Sequence, residues 1–228
     1  MKKITIAIDG FSSTGKSTLA KQLAKHLGYV FVDTGAMYRA VTLFALQNKF
    51  ISSDSFDKES LINSLEFIKL SFLFNPDLGF AEMYLNDKKV ETEIRTLEVS
   101  GYVSKIAEVS EVRAKLVEQQ QAMGKNKAIV MDGRDIGTVV FPDAELKIFM
   151  NASLEVKAKR RFDELTAKGD KVTFDEILEN VKERDYIDTH RDDSPLVKAL
   201  DAIEIDNSNL TRDQQFEKVL GLVNNILK

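Results

Sequence analysis

The chain has 228 residues, 43% of them hydrophobic and 30% charged, enough to bury a sizeable core, which excludes a peptide-scale fold. It has no cysteine and two histidines, His26 and His190, so disulfides, iron-sulfur clusters, thiolate zinc sites and histidine-rich metal centres are excluded. A net charge of -4 offers no basic field for general nucleic-acid binding, although a local cationic pocket would be hidden in that sum.

Met1-Lys2-Lys3 leads straight into Lys3–Ile8, a short β-branched run, and no apolar run is long enough to span a membrane. A cytoplasmic protein with no membrane or nucleic-acid partner is expected. A Gly-Ser-Thr stretch follows, then Thr18–Leu27 with leucines and alanines at helical spacing: strand, loop, helix. Tyr29–Val32 reads as a second buried strand. Gly35–Gln47 reads as a helix with Met37, Ala40, Val41 and Phe44 along one face. Between Asn48 and Ile94 the pattern predicts an inserted β-rich subdomain: a helix near Lys58–Leu65, strands at Phe67–Phe74 and Ala81–Leu85, and a turn at Asn86-Asp87. Phe67, Phe72, Phe74 and Phe80 are expected to pack that insert.

Helical patterning resumes over Arg95–Met123 and is predicted to stop at Gly124 with Asn126, before the apolar strand Ala128–Met131. Leu146–Met150 is another buried strand. Ser153–Lys168 and Thr173–Asp192 read as two charged helices forming an exposed hairpin, the second opened by a Thr173/Glu176 capping box and followed by Pro195. Ala202–Ile205 is a strand and Thr211–Leu227 an amphipathic helix with a second capping box, Thr211/Gln214. Five short apolar strands alternating with helices predict an α/β fold with a parallel sheet.

Gly10-Phe11-Ser12-Ser13-Thr14-Gly15-Lys16-Ser17 is a full G-x-x-x-x-G-K-S between a strand and a helix. In that context backbone N–H groups wrap a triphosphate, Lys16 reaches the β- and γ-phosphates, and the Ser17 hydroxyl ligates Mg2+. Ala128–Met131 ends in Asp132, followed by Gly133, Arg134 and Asp135. A lone aspartate there serves equally as a turn former, but this density of charge at a strand end points to a site. Arg184, Asp188 and Arg191 at i, i+4 and i+7 share one helix face, with Arg160 and Arg161 on the preceding helix. That face reads as a solvated ion-pair surface or, given the phosphate loop, as cations that close over a γ-phosphate. The two histidines read as structural.

Taken together these residues resemble the nucleoside monophosphate kinases, and among them the bacterial cytidylate kinases. The resemblance rests on the phosphate loop, Asp33-Thr34-Gly35-Ala36-Met37-Tyr38-Arg39, Glu93-Ile94-Arg95-Thr96, the stretch from Asp132 to Asp143, and Glu183-Arg184-Asp185 continuing to Asp188, Arg191 and Pro195-Leu196. It implies one domain: a five-stranded parallel P-loop kinase core flanked by helices (1–47, 95–155, 198–228), a monophosphate-binding insert (48–94) and a helical lid (156–197). The implied reaction is ATP plus CMP or dCMP giving ADP plus CDP or dCDP, with Mg2+, in a monomer. Carried over by motif, Gly10 to Thr18 bind ATP, and Thr34, Arg39, Ser104, Arg113, Asp132, Arg134 and Asp135 contact the acceptor nucleotide. Arg184 is implied as a lid phosphate contact, Asp188 and Arg191 as sugar-side contacts. Arg160 and Arg161 join Lys16, Arg134 and Arg184 as charge-neutralising cations. Phe11 stands where relatives often carry proline, and Ile187 where some carry a cation. A guanine-binding switch is disfavoured, since neither Asn-Lys-x-Asp nor Asp-x-x-Gly occurs where one would need it.

Overall fold

A computed structural model describes residues 2–77 and 79–228. In chain order the elements are β1 (Thr5–Gly10), α1 (Lys16–Leu27), β2 (Val30–Asp33), α2 (Thr34–Gln47), α3 (Lys58–Asn63), β3 (Leu70–Asn75), β4 (Phe80–Leu85) and β5 (Lys88–Lys89). There follow α4 (Leu97–Ala107), α5 (Ser110–Met123), β6 (Ile129–Gly133), β7 (Leu146–Asn151), α6 (Leu154–Ala167), α7 (Phe174–His190), β8 (Ile203–Asp206) and α8 (Arg212–Leu227). The chain divides into two compact units, one running to Phe31 and resuming over Gly124–Lys228, the other Val32–Met123. Among the described residues no helix is long and apolar enough to cross a membrane.

The larger unit is built on a five-stranded sheet of order β2-β6-β1-β7-β8. β1 is its central strand, parallel to β6 and β7, with Ile6 opposite Val130 and Leu146. A strand covered on both faces must be apolar on both, which is why Thr5–Gly10 is buried at every position and lacks polar alternation. Ile6, Ile8, Leu19, Leu23, Ile148, Ile205, Val219 and Val223 form its core with α1 and α8. The second unit packs α2, α4 and α5 with the antiparallel sheet β3-β4-β5. Met37, Val41, Leu61, Met83, Ile94, Ile106 and Leu116 are its centre. The Asn86-Asp87 turn has φ of 48° and 64° at its two residues, the left-handed pair that a two-residue hairpin needs.

Several expectations are corrected. The segment Arg95–Met123 is not one helix: a single 3-10 turn covers Glu93–Arg95, Thr96 caps α4, and the chain breaks between Ala107 and Ser110. Buried Val109 fills the break, so that Ile106 and Val112 on either side both reach the core. Gly124 follows α5 but is not the left-handed stop; Lys127 and Ala128 carry φ of 53°. Glycine stands at 124 for space, since a Cβ there would lie 2.2 Å from the Phe141 ring. Phe72 packs on the second unit's core, but Phe67 and Phe74 are 63% and 69% exposed. Phe67 closes a 3-10 turn and Phe74 lies at the turn end of an edge strand, beyond the part of the hairpin that Met83 and Leu85 bury. The hairpin of α6 and α7 is not simply exposed either: Lys157, Arg161, Arg184 and Asp188 are buried on its inner side.

Gly10 has φ of 144°, and a Cβ on it would sit 2.0 Å from the backbone oxygen of Met150 on β7. Gly28, which ends α1 at φ 67°, has nothing within 4 Å of its missing Cβ. Gly10→Ala is therefore expected to cost at least about 3 kcal/mol, because neither backbone can give way. Gly28→Ala should cost about 1 kcal/mol, the left-handed penalty alone. Urea unfolding of the two variants checks this, and equal losses would contradict it.

Candidate active site

The phosphate loop runs from the end of β1 to the start of α1, whose first turn has no side-chain cap and no acidic residue. The amides of the helix start and the positive end of the helix dipole thus have no side-chain competitor at the cap. Lys16 is buried and folds back, donating from Nζ to the Phe11 carbonyl at 2.5 Å and to Thr14 Oγ1 at 3.5 Å. Burial, and next the nearby Arg134, pull its pKa down to about 7, although Asp132, Asp188 and Asp185 oppose them. Ser17 Oγ donates to Asp132 Oδ2 at 2.6 Å, joining the helix start to the end of β6.

The α6–α7 hairpin meets the Asp132–Asp135 segment in the same unit. Arg134 Nε donates to Asp188 Oδ2 at 2.6 Å, and Arg191 stands 3.9 Å from the other carboxylate oxygen. Burial alone would push the Asp188 carboxyl up, yet Arg134 and Arg184 hold it below the ordinary carboxylate range. Burial likewise works against the Arg134 cation, and Asp188 and Asp185 more than compensate. Arg184 differs: it is buried, and its Nε has no hydrogen-bond partner. Its pKa is pulled down to about 10, chiefly by burial and then by the neighbouring Arg134. A buried guanidinium left short of partners is costly unless an anion completes it.

Two expected lid cations are otherwise engaged. Arg160 donates to the Asn207 carbonyl at 2.9 Å and side chain at 3.0 Å, and to the Thr14 carbonyl at 3.4 Å, so it ties the phosphate loop to the turn after β8. Arg161 pairs with Glu164 at 2.9 Å on its own helix. The sequence did not single out Lys157 or Asn207, and it named Asp185 only within the Glu183-Arg184-Asp185 stretch, with no role. Asp185 accepts from the Ser12 N–H at 3.0 Å and from Lys157 at 2.5 Å, and Lys157 lies 4.6 Å from the centre of the Phe11 ring. The one available signal was spacing, since Lys157 lies one helical turn before Arg160 and Arg161.

Thr34, Arg39, Ser104 and Arg113 belong to the second unit, on α2, α4 and α5, which pack together. Thr34, Ser104 and Arg113 are buried. Arg39 donates to Ser100 Oγ at 2.8 Å; Arg113 donates to the Ala107 carbonyl at 3.2 Å and has its guanidinium 5.7 Å from the Tyr38 ring centre. Asp33 caps α2 by accepting from the Ala36 N–H at 2.9 Å. Arg95, assigned no role from sequence beyond its place in the Glu93–Thr96 stretch, bridges Asp33 and Glu91 at 2.8 Å each. Burial would raise the Asp33 pKa, but Arg95 and then Arg39 hold it below the usual value.

A phosphate loop at the carboxyl edge of a parallel sheet, with buried guanidinium groups gathered beside it, defines a P-loop nucleotide-binding protein. A model of the cytidylate kinase family matches residues 6–225. Over 226 residues the chain is 72% identical to the cytidylate kinase of Flavobacterium psychrophilum, covering 99% of this chain and 100% of that one. Over 217 residues it is 59% identical to the cytidylate kinase of Bacteroides thetaiotaomicron, covering 95% of each. Among solved structures it is similar in fold to an uncharacterized protein from Eubacterium ventriosum, with a TM-score of 0.51, 13% identity and coverage of 98% and 99%. The chain belongs to the cytidylate kinase family.

Arg184→Met removes the underbonded cation while keeping a long apolar stem, and without nucleotide it is expected to stabilise the protein by about 1–3 kcal/mol. Inorganic pyrophosphate should raise the melting temperature of the wild type and have far less effect on the variant. A variant less stable than wild type and still stabilised by pyrophosphate would contradict the assignment.

Proposed function

We propose that this chain transfers the γ-phosphoryl group of ATP to CMP or dCMP, yielding ADP and CDP or dCDP. Arg184 carries the reading: a buried cation short of partners, beside Arg134 and in the same unit as an uncapped phosphate loop, suits an anionic phosphoryl group in transit. Membership of the cytidylate kinase family supports the choice of acceptor.

An oxygen of the CMP phosphate, already ionised at neutral pH, forms the new bond to the γ-phosphorus as the bond to the β-phosphate oxygen breaks, and ADP leaves with that electron pair. No general base is needed, so the chain's task is charge neutralisation and alignment. The loop amides of Ser13 to Ser17 hold the phosphates of ATP, and Lys16 exchanges its Phe11 carbonyl for their oxygens. Arg134 and Arg184 take the charge on the transferring group. Arg160, with Asn207, steadies the loop at Thr14, and Asp188 orients Arg134 while Arg191 flanks it. Thr34, Arg39, Ser104, Arg113, Asp132 and Asp135 serve the acceptor. Ser17 and Asp132 present hydroxyl and carboxylate oxygens side by side, the hard donors that suit Mg2+ together with water and phosphate. When bound there, Mg2+ would neutralise phosphate charge, with Ser17 as its protein ligand.

Because its pKa in the free protein is about 7, Lys16 is mostly neutral at pH 8, and a triphosphate must recharge it. ATP binding at pH 8 is expected to take up close to one proton, seen as a dependence of the calorimetric enthalpy on buffer ionisation. Lys16→Met should abolish that uptake and lower kcat by at least about 10^2-fold. Binding without proton uptake in the wild type would refute it.

Turnover with ATP-Mg and a panel of monophosphates tests the function directly; equal rates with AMP or TMP and none with CMP would overturn it. Cytosine presents an amine donor where uracil presents an acceptor, so a carboxylate at the base favours CMP. Asp135→Asn is expected to narrow the CMP over UMP ratio of kcat/KM by at least about tenfold. Parallel loss on both substrates would make Asp135 a turn former.

A further inference from the structure

Asp9, the last residue before the phosphate loop, is buried at the carboxyl end of β1 but makes no bond to that loop among the hydrogen bonds of its side chain. Its Oδ1 accepts from the Ile136 N–H at 2.8 Å and its Oδ2 from the Gly137 N–H at 2.7 Å. Both donors lie directly after Asp135. On its other side, the Asp135 carbonyl accepts from Val139 at 2.8 Å and Val140 at 3.2 Å, within the single π-helical turn Ile136–Val140. The backbone of Asp135 is thus fixed between a carboxylate clamp and an irregular turn. Gly137 makes the clamp possible, since a Cβ there would stand 3.3 Å from Asp9 Oδ2 and 3.1 Å from the Lys147 stem.

We propose that Asp9 is a positioning residue for the acceptor base: ionised, it clamps the Ile136 and Gly137 amides and so holds Asp135 in the geometry that reads cytosine. This rests on the reading of Asp135 as an acceptor contact. Two amide donors need two acceptor oxygens, which only the carboxylate supplies. A protonated acid or an asparagine turns one of its polar groups into a donor facing an N–H, which leaves a buried amide unpaired and lets the segment shift.

The charge balance makes this clamp sensitive to pH. Burial pushes the Asp9 pKa up to about 6, against the two amide bonds; Asp135 raises it further and Lys16 lowers it. Its neighbours in the sheet, Gly133 on β6 and Phe149 on β7, do not titrate. Lys147, beside Gly137, is engaged by Asp201. The sign is opposite for stability and for binding. A carboxyl pKa raised from 3.8 to about 6 favours folding fully below 3.8 and loses that contribution as pH rises from there through about 6, whereas the clamp forms as Asp9 ionises around 6. A residue kept for stability alone would not show this opposition.

The test uses cytidine 5′-sulfate, whose sulfate group stays singly charged between pH 5 and 8, because the phosphate of CMP itself titrates near pH 6. Its affinity for the wild type should fall at least about fivefold from pH 7.5 to pH 5 with a midpoint near 6. Asp9→Asn should bind it about tenfold more weakly at pH 7.5, with a flat pH profile, while KM for ATP moves less than about twofold. Matching profiles in the two proteins, or a loss of ATP affinity as large as the loss for the cytidine ligand, would overturn the proposal. Should Asp9→Asn fail to fold, the wild-type amide resonances of Ile136 and Gly137 decide. A shared titration coinciding with the fall in affinity upholds the clamp, and shifts constant from pH 5 to 8 reject it. A wild type that binds no cytidine ligand would bring down the acceptor reading along with this one; binding that ignores pH brings down the clamp alone.

Discussion

Charge can be buried in a protein only beside its counter-charge or beside a place reserved for one, and the larger unit of this chain is organised around that constraint. Lys16, Arg184 and Arg191 lie out of water with Asp132 and Asp188, joined by the partly buried Arg134 and Asp185. The pairing is incomplete by design of the positions: Asp188 satisfies Arg134 and flanks Arg191, Asp185 goes to Lys157 and the Ser12 amide, and Arg184 is left short. Lys16 meets the same shortage differently, by approaching neutrality and lodging its amine on a carbonyl. Both are states that a nearby anion would relieve.

The sheet supplies the rigidity such an arrangement needs. β1 is the central strand, and its last two residues reach the segments on either side of it. Gly10 lets the loop pass within contact of Met150 on β7, while Asp9 reaches across to the segment after β6. A strand buried on both faces and paired on both edges cannot slide without exposing Ile6 and Ile8, so these two positions are held as firmly as any in the molecule. The α6–α7 hairpin is fastened more lightly, through ion pairs and the contact of Lys157 with Phe11. Elements joined by polar contacts at their rim are those that open at small cost.

Much of the fold was legible because its signals are local. The β-branched run at Lys3–Ile8, the glycine loop and the helix after it each follow from the preferences of their own residues, as do both capping boxes and the Asn86-Asp87 turn. Where a local signal was absent or ambiguous the reading erred. Nothing in the periodicity of Arg95–Met123 marks the change of direction at Val109, because both α4 and α5 bury apolar residues on one side. Phenylalanine says nothing about which side of an edge strand is covered, or that Phe67 lies in a 3-10 turn ahead of the strand, and so neither Phe67 nor Phe74 packs as expected. Gly124 reads as a helix stop whether its purpose is conformational or, as here, to make room for Phe141.

The candidate site divides along the same line. The G-x-x-x-x-G-K-S pattern points to phosphate binding by itself, and the acid at the end of β6 and the shared face of Arg184, Asp188 and Arg191 are legible as placements, since a helix start, a strand end and a helix face depend only on neighbours within a few residues. Which cation is engaged and which is short of partners could be decided only in three dimensions. Arg160 and Arg161 look alike in sequence, yet one grips Asn207 and Thr14 and the other its own helix. Asp9 looks like the end of a strand, and its partners lie 127 and 128 residues away. Hydrogen bonds and ion pairs across such separations carry no periodicity, so they become visible only when the packed sheet has brought the strand ends together.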